Sequence, residues 1–281
     1  MKFLKKILKK NLTPANLTRL TYYRFFLRQT YFGTIWQNIK RRKILKYHHK
    51  DLYNELQKNG YVVIESYLNK AECAKGVEEM KMVFSKYSDY VQNYDDKRIF
   101  GIDQVLTVAR KLAQDLNFLE IAEMVNKEPT CCLFTMGNWL KSGNNGSSGS
   151  GWHRDSFFSQ FKALLYLTNV TEDNGPFEIL AGSHHLSSVL SGIDKVGLDF
   201  MQNRISNNEV EIFERKLSLK RKTFTGNAGT LILFNSTTIH RGCPIRTGER
   251  LALTNYYYPT SIDLRSIQKK NSPMLQNTVN V

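Results

Sequence analysis

The chain has 281 residues, 41% hydrophobic and 12% aromatic, which is enough apolar material for a substantial core and excludes a disordered tail protein, a collagen-like fibre or a scaffold stapled by its four cysteines. Its net charge of +15 is gathered at one end: residues 1–50 hold 14 Lys or Arg and no Asp or Glu, leaving 26 basic against 25 acidic residues in the rest. A nearly neutral body therefore follows a basic arm.

In the arm, Leu4, Ile7, Leu8 and Leu12, then Leu17, Leu20, Tyr23, Leu27 and Tyr31, recur mostly at three to four residues, the period of a helix. Pro14 separates the two stretches and starts the second. Phe3, Phe25, Phe26, Phe32 and Trp36 interleave with Lys and Arg, a composition suited to a surface of anionic headgroups. It equally suits an arm that packs on its own body or on a second subunit. Nucleic acid is disfavoured as a partner, because no recognised nucleic-acid motif accompanies the charge.

Lys5, Lys6, Lys9 and Lys10 interrupt any apolar stretch that a signal peptide would need, and the chain has no 18-residue apolar run. Cys73, Cys131, Cys132 and Cys243 form no C-x-x-C pair and read as reduced thiols. The expected location is the cytoplasm, with attachment to a membrane surface through the arm as an extension of that reading.

From Gly60 the pattern changes. Tyr61-Val62-Val63-Ile64 is a short strand, and Asn69 with Glu72 forms a capping-box signature for a helix to about Ser85. Residues 104–126 read as one or two further helices, ended before Pro129. Beyond it, Cys131 to Leu140, Lys162 to Thr168, Phe177 to Leu180, Thr230 to Phe234 and Leu251 to Tyr258 are strand-like runs separated by Gly, Asn, Ser and Pro. Many short strands with loops between them point to a sandwich or jelly roll. About 184–224 the sequence is mixed helical and polar, as an insertion would be. The tail after Pro259 is polar and is expected to be poorly ordered.

The chemistry concentrates in Trp152-His153-Arg154-Asp155 and, far downstream, His240-Arg241-Gly242. Side chains two apart on a strand share a face, so His153 and Asp155 can point into one interior. His240 from another strand would complete two imidazoles and a carboxylate on one face of a metal, with the opposite positions open. The glycine- and serine-rich loop from Ser142 to Gly151 leads into this motif and is a candidate lid, or an ordinary connector. Phe157, Phe158 and Phe161 follow it as pocket or core aromatics.

These motifs, together with Gly60-Tyr61-Val62-Val63-Ile64, Asp173-Asn174-Gly175-Pro176-Phe177-Glu178, Gly182-Ser183-His184, Gly229 to Phe234 and Arg250, occur in an order and spacing that resembles the phytanoyl-CoA dioxygenase family of Fe(II)- and 2-oxoglutarate-dependent oxygenases, over about residues 60–258. The resemblance implies a mainly β fold with flanking helices, a double-stranded β-helix (a cupin-like jelly roll), preceded by the helical basic arm. It implies Fe(II) on His153, Asp155 and His240, and 2-oxoglutarate and O2 as co-substrates. Arg250 is carried over as the clamp on the far carboxylate of 2-oxoglutarate. Arg246 competes for that role, but sits in a turn, whereas Leu251-Ala252-Leu253 continues from Arg250 into a strand.

Related halogenating enzymes replace the acidic ligand by a small residue; Asp155 is present, so hydroxylation is the expected reaction, with release of succinate and CO2. Bland readings apply elsewhere. His184 and His185 read as loop residues. Arg154 and Arg241 alternate to the opposite face and read as surface or second-sheet ion pairs. Asn174-Gly175-Pro176 reads as a turn. The expected domains are a basic arm at 1–58, an oxygenase domain at 59–260 with its insertion about 184–224, and a polar tail at 261–281. The expected substrate is a small or lipid-linked molecule. One rival is a catalytically silent jelly-roll binding protein that docks a ligand or partner through the arm, and a second is an oxygenase acting on nucleic acid or protein, prompted by the basic arm. The sequence does not specify the substrate or the oligomeric state.

Overall fold

The computed structural model describes residues 49–143, 151–199 and 202–276. The helical reading of the arm, residues 144–150 of the glycine-rich loop and the last five residues lie outside the described residues. Strands dominate from Thr130 onward and helices precede them. The elements are α1 (Lys50–Asn59), β1 (Tyr61–Ile64), α2 (Lys70–Lys86), β2 (Gln92–Asn93), β3 (Lys97–Phe100), α3 (Thr107–Ala113), α4 (Leu116–Asn126), β4 (Thr130–Lys141), β5 (Phe161–Tyr166), β6 (Phe177–Ala181), α5 (Leu186–Ser191), α6 (Asn207–Leu217), β7 (Lys220–Phe224), β8 (Leu231–Asn235), β9 (His240–Gly242), β10 (Glu249–Pro259) and α7 (Leu264–Lys270).

Two antiparallel sheets face each other. The larger has the order β1-β8-β5-β10-β4-β3-β2 and the smaller β7-β6-β9, the jelly-roll arrangement expected from the sequence. Alternation along each strand of the larger sheet divides its two faces. On β5, Phe161, Ala163 and Leu165 join the main core, as do Leu231 and Leu233 of β8 and Leu251, Leu253 and Tyr257 of β10. That core is closed by residues of the four leading helices, among them Leu56, Met80, Leu112 and Ile121. The opposite face carries Leu164, Tyr166, Ile232, Phe234 and Ala252, which pack against Phe177, Ile179 and Phe224 of the smaller sheet. Both faces of β5 are buried, which accounts for its nearly continuous apolar run.

The capping box at the start of α2 forms as read: Glu72 N donates to Asn69 Oδ1 at 2.9 Å and Asn69 N donates to Glu72 Oε2 at 3.2 Å.

Four expectations need correction. The arm boundary at 58/59 cuts through α1, whose Leu56 is 1% exposed in the main core, so this helix belongs to the body. The insertion about 184–224 ends in β7, so its final residues are part of the smaller sheet. The tail is ordered beyond residue 261: α7 forms, and Met274 and Leu275 are buried, with Leu275 N donating to Phe100 O at 3.0 Å. Arg154 is not at the surface: it is 1% exposed, with its guanidinium 5.4 Å from the Phe157 ring. Among the described residues no helix is long and apolar enough to cross a membrane.

Candidate metal centre

His153, Asp155 and His240 converge between the sheets, with one donor atom from each lying within 4.8 Å of the others. The backbone that brings them together is less regular than the sequence pattern suggests. His153 lies outside the named strands and is held by paired backbone bonds, His153 N to His240 O at 2.9 Å and His240 N to His153 O at 2.8 Å. Asp155 N donates to Ser236 O at 3.1 Å. The two-residue spacing still places both side chains inward, but bridges rather than a continuous ladder do so.

Each imidazole is oriented from behind. Nδ1 of His153 lies 2.8 Å from Gly151 O, and Nδ1 of His240 lies 2.7 Å from Thr238 O. A carbonyl can only accept, so Nδ1 carries a proton in both rings and Nε2 is the atom that each ring turns toward Asp155. The Nε2 atoms are 3.7 Å (His153) and 3.3 Å (His240) from the Asp155 carboxylate. Burial, reinforced by the neighbouring His240, pushes the His153 pKa down to about 3, so the ring stays neutral at physiological pH. Burial alone would raise the Asp155 carboxyl, but Lys162, His240 and His153 hold it well below the usual carboxylate range. A neutral His153, a second imidazole from His240 and an ionised carboxylate fit a divalent iron-group cation.

Arg250 shares the cavity with this cluster and is 3% exposed. Its Nη2 donates to Asn138 Oδ1 at 2.7 Å and its Nη1 donates to Gly175 O. Its Nε is buried with no hydrogen-bond partner among the described residues, which fits a guanidinium that awaits an acceptor such as a carboxylate. Gly175, the turn residue singled out from the sequence, has φ +69°, and a Cβ there would come within 2.7 Å of Leu140, so the turn that offers this carbonyl requires glycine. Arg246, the competitor, is on the surface and pairs with Asp173 at 3.1 Å.

The remaining lining includes Arg98, Lys162, Arg204 and Tyr256 around a cavity of about 190 Å³. Sequence reasoning missed Lys162, whose Nζ lies 2.8 Å from Asp155 Oδ2; its signal was a lone cation within Phe161-Lys162-Ala163-Leu164-Leu165. It also missed Asn138 and Asp96, which stand behind Arg250. His184 and His185 bond backbone carbonyls of Gln57 and Lys58 and take no part in the cluster. Arg241 pairs with Glu178 at 2.6 Å, as read. Phe161 is core and Phe158 is 39% exposed, and neither they nor Phe157 line the cavity.

A jelly roll in which two imidazoles and a carboxylate converge between the sheets belongs to the class of mononuclear non-haem iron oxygenases that leave open positions for co-substrates. The sequence matches the model of the phytanoyl-CoA dioxygenase (PhyH) family over residues 56–252, and the chain belongs to that family of Fe(II)- and 2-oxoglutarate-dependent enzymes. No curated protein matches it in sequence. Similar solved structures include the epimerase SnoN in complex with Fe3+, alpha ketoglutarate and nogalamycin RO, at 16% identity and TM-score 0.58, over 75% of this chain and 84% of that one. The carbocyclase SnoK from nogalamycin biosynthesis has 15% identity and TM-score 0.58, over 81% and 91% of the two chains. EctD from S. alaskensis with 2-oxoglutarate and 5-hydroxyectoine has 16% identity and TM-score 0.57, over 74% and 75%. At these identities the structures establish the shared fold.

Proposed function

We propose that His153, Asp155 and His240 hold Fe(II), that Arg250 holds the far carboxylate of 2-oxoglutarate, and that the enzyme hydroxylates a small-molecule substrate. The observation that carries this reading is the convergence of the three donors in one cavity with a buried arginine that still has a donor to spare. Bound Fe(II) and 2-oxoglutarate supply the oxidising chemistry, consuming O2 and releasing succinate and CO2.

The chain's own groups do the positioning. Gly151 and Thr238 carbonyls fix the imidazole tautomers, so the cation meets lone pairs rather than N–H groups. Asn138 and Gly175 hold the Arg250 fork, so that a dicarboxylate enters with its orientation already set. Leu164, Phe177 and Phe234 wall the cavity with apolar surface and keep bulk water from the reacting centre. Asp155 supplies the acidic ligand whose presence favours hydroxylation over halogenation. The small ligands held by SnoN and EctD support a small-molecule substrate.

Anaerobic titration of the apoprotein with Fe(II) and 2-oxoglutarate tests the reading. The expected result is a weak visible charge-transfer band, lost in His153→Ala and weakened in Arg250→Ala. A folded protein that gives no band would favour the silent binding module instead.

For the arm, the proposal is an anionic membrane surface, supported by the 14 basic residues and interleaved aromatics of residues 1–50. Full-length protein should co-sediment with vesicles containing anionic lipid, more at low salt than at high, and lose this when residues 1–48 are removed. Equal sedimentation of the two forms would refute it.

A further inference from the structure

Lys162 interrupts the apolar face of β5. Its side chain is 4% exposed, its Nζ lies 2.8 Å from Asp155 Oδ2, and the same ammonium stands 3.7 Å from the centroid of the Tyr256 ring. Burying an ammonium is costly, and the packing around it does not demand a charge: Leu164 and Tyr166 follow on the same face of the strand and an aliphatic side chain would continue it. A cation kept there points to work done on its partner.

The partner has a choice to make. A carboxylate can bind a metal through one oxygen or both. Two imidazoles and one carboxylate oxygen leave three of about six octahedral positions, enough for a chelating 2-oxo acid and one open place; a second carboxylate oxygen would fill the open place. The imidazoles do not decide between the oxygens, because His240 Nε2 is 3.3 Å from Oδ2 and His153 Nε2 is 3.7 Å from Oδ1. The Asp155 backbone bond to Ser236 fixes the main chain and leaves the side-chain torsions free.

We propose that Lys162 is a positioning residue that engages Oδ2 of Asp155 by a charge-assisted hydrogen bond, so that the carboxylate offers only Oδ1 to the metal and one position stays open. The inference rests on the ligand assignment above. Tyr256 is the second part of the device: its ring face under the ammonium restrains the flexible lysine stem by a cation–π contact.

The test uses full-length, Fe(II)-loaded protein under anaerobic conditions, with 2-oxoglutarate titrated by its visible band and nitric oxide as the probe of the open position, read by its paramagnetic resonance signal. Folding of each variant is checked by thermal unfolding. Lys162→Met is expected to bind Fe(II) and 2-oxoglutarate within about threefold of wild type, while its affinity for nitric oxide falls about tenfold and the resonance spectrum changes; Lys162→Arg, which keeps the donor, should restore most of the affinity. Tyr256→Leu should weaken nitric oxide binding in the same direction by a smaller factor, and it serves as the test if Lys162→Met does not fold.

Unchanged nitric oxide binding and spectrum in a folded Lys162→Met would overturn the inference. So would a loss confined to 2-oxoglutarate affinity, which would make Lys162 a co-substrate contact. Failure of the underlying ligand assignment looks different, since wild type itself would then bind no Fe(II).

Discussion

Arg250 and Asn138 are joined by a hydrogen bond of 2.7 Å, from Nη2 to Oδ1, between neighbouring strands β10 and β4. The other end of the Asn138 amide donates to Asp96, whose buried carboxylate also accepts from Arg98 Nε at 2.9 Å. A single amide thus links the proposed co-substrate clamp to the Asp96 carboxylate. Asn138→Ala should leave Arg250 with one fewer restraint. A hydrogen bond to a charged group is worth about 1.5–3 kcal/mol, so KM for 2-oxoglutarate should rise about tenfold or more, with a smaller change in kcat. Arg250→Ala, which removes the clamp itself, should cost more. Steady-state succinate formation across a 2-oxoglutarate series measures both, and an unaltered KM in Asn138→Ala would mean that Gly175 suffices to orient the guanidinium.

What the sequence made legible follows from range. Runs such as Thr230 to Phe234 and Leu251 to Tyr258 declare strands because period-2 burial is a local signal, and the observed bounds of β8 and β10 lie within two residues of them. His153, Asp155 and His240 stood out through a short motif and a far histidine with a matching order of turns between them. The supports did not. Asp96 meets Asn138 across 42 residues and Arg250 meets Asn138 across 112, and nothing in the local pattern of β4 shows that its asparagine will be held from both sides. Lys162 to Asp155 spans only seven residues, but across a turn whose path the sequence leaves open. The tail failed for the complementary reason: two buried side chains, Met274 and Leu275, are too few to make a pattern.

Glu178 on β6 carries a pH-dependent share of the stability. Burial opposes its charge, yet hydrogen bonds from Cys243, Arg241 and Thr223 hold its carboxyl below the usual value of 4.5. A pKa lowered in the folded state means stabilisation that is present in full above the unfolded value and is lost as pH falls through the lower folded value. Glu178→Gln should therefore unfold about 1–3 kcal/mol more easily at pH 7, by denaturant titration. Below the folded value of wild type both side chains are neutral and the gap should close; a gap that stays constant down to pH 3 would assign the effect to shape rather than charge.

The four cysteines are free, and each titrates above its usual 9.0 because burial disfavours the thiolate, with Cys243 pushed up to about 12 beside Glu178. Only the thiolate reacts readily with alkylating reagents. Native protein at pH 7.5 should incorporate little iodoacetamide within minutes, whereas protein unfolded in denaturant should take up four equivalents, as counted by intact mass. Rapid native labelling at any one cysteine would show that its segment opens at low cost.

The C-terminal segment should be a structural part of the domain. Leu275 is 8% and Met274 6% exposed, packed beside Phe100, and the Gln92 side chain donates to the carbonyls of Asn271 at 3.0 Å and Pro273 at 3.2 Å. Burying two such side chains is worth about 3–6 kcal/mol in total, and for a domain of this size each kcal/mol moves Tm by about 2–4 °C. Ending the chain at residue 272 should therefore lower Tm by about 6 °C at least. Gly101→Ala reaches the same contact from the other side: Gly101 has φ +74°, and an added Cβ would come within 2.0 Å of Leu275 O, so either the backbone turn or the docked segment must give way. If docking is what that glycine serves, the truncation and the substitution should be less than additive when combined, because the truncated chain no longer has the carbonyl that the new methyl group would strike. Calorimetry of the two single variants and the double variant decides this, and full additivity would show that Gly101 is needed for its own turn alone.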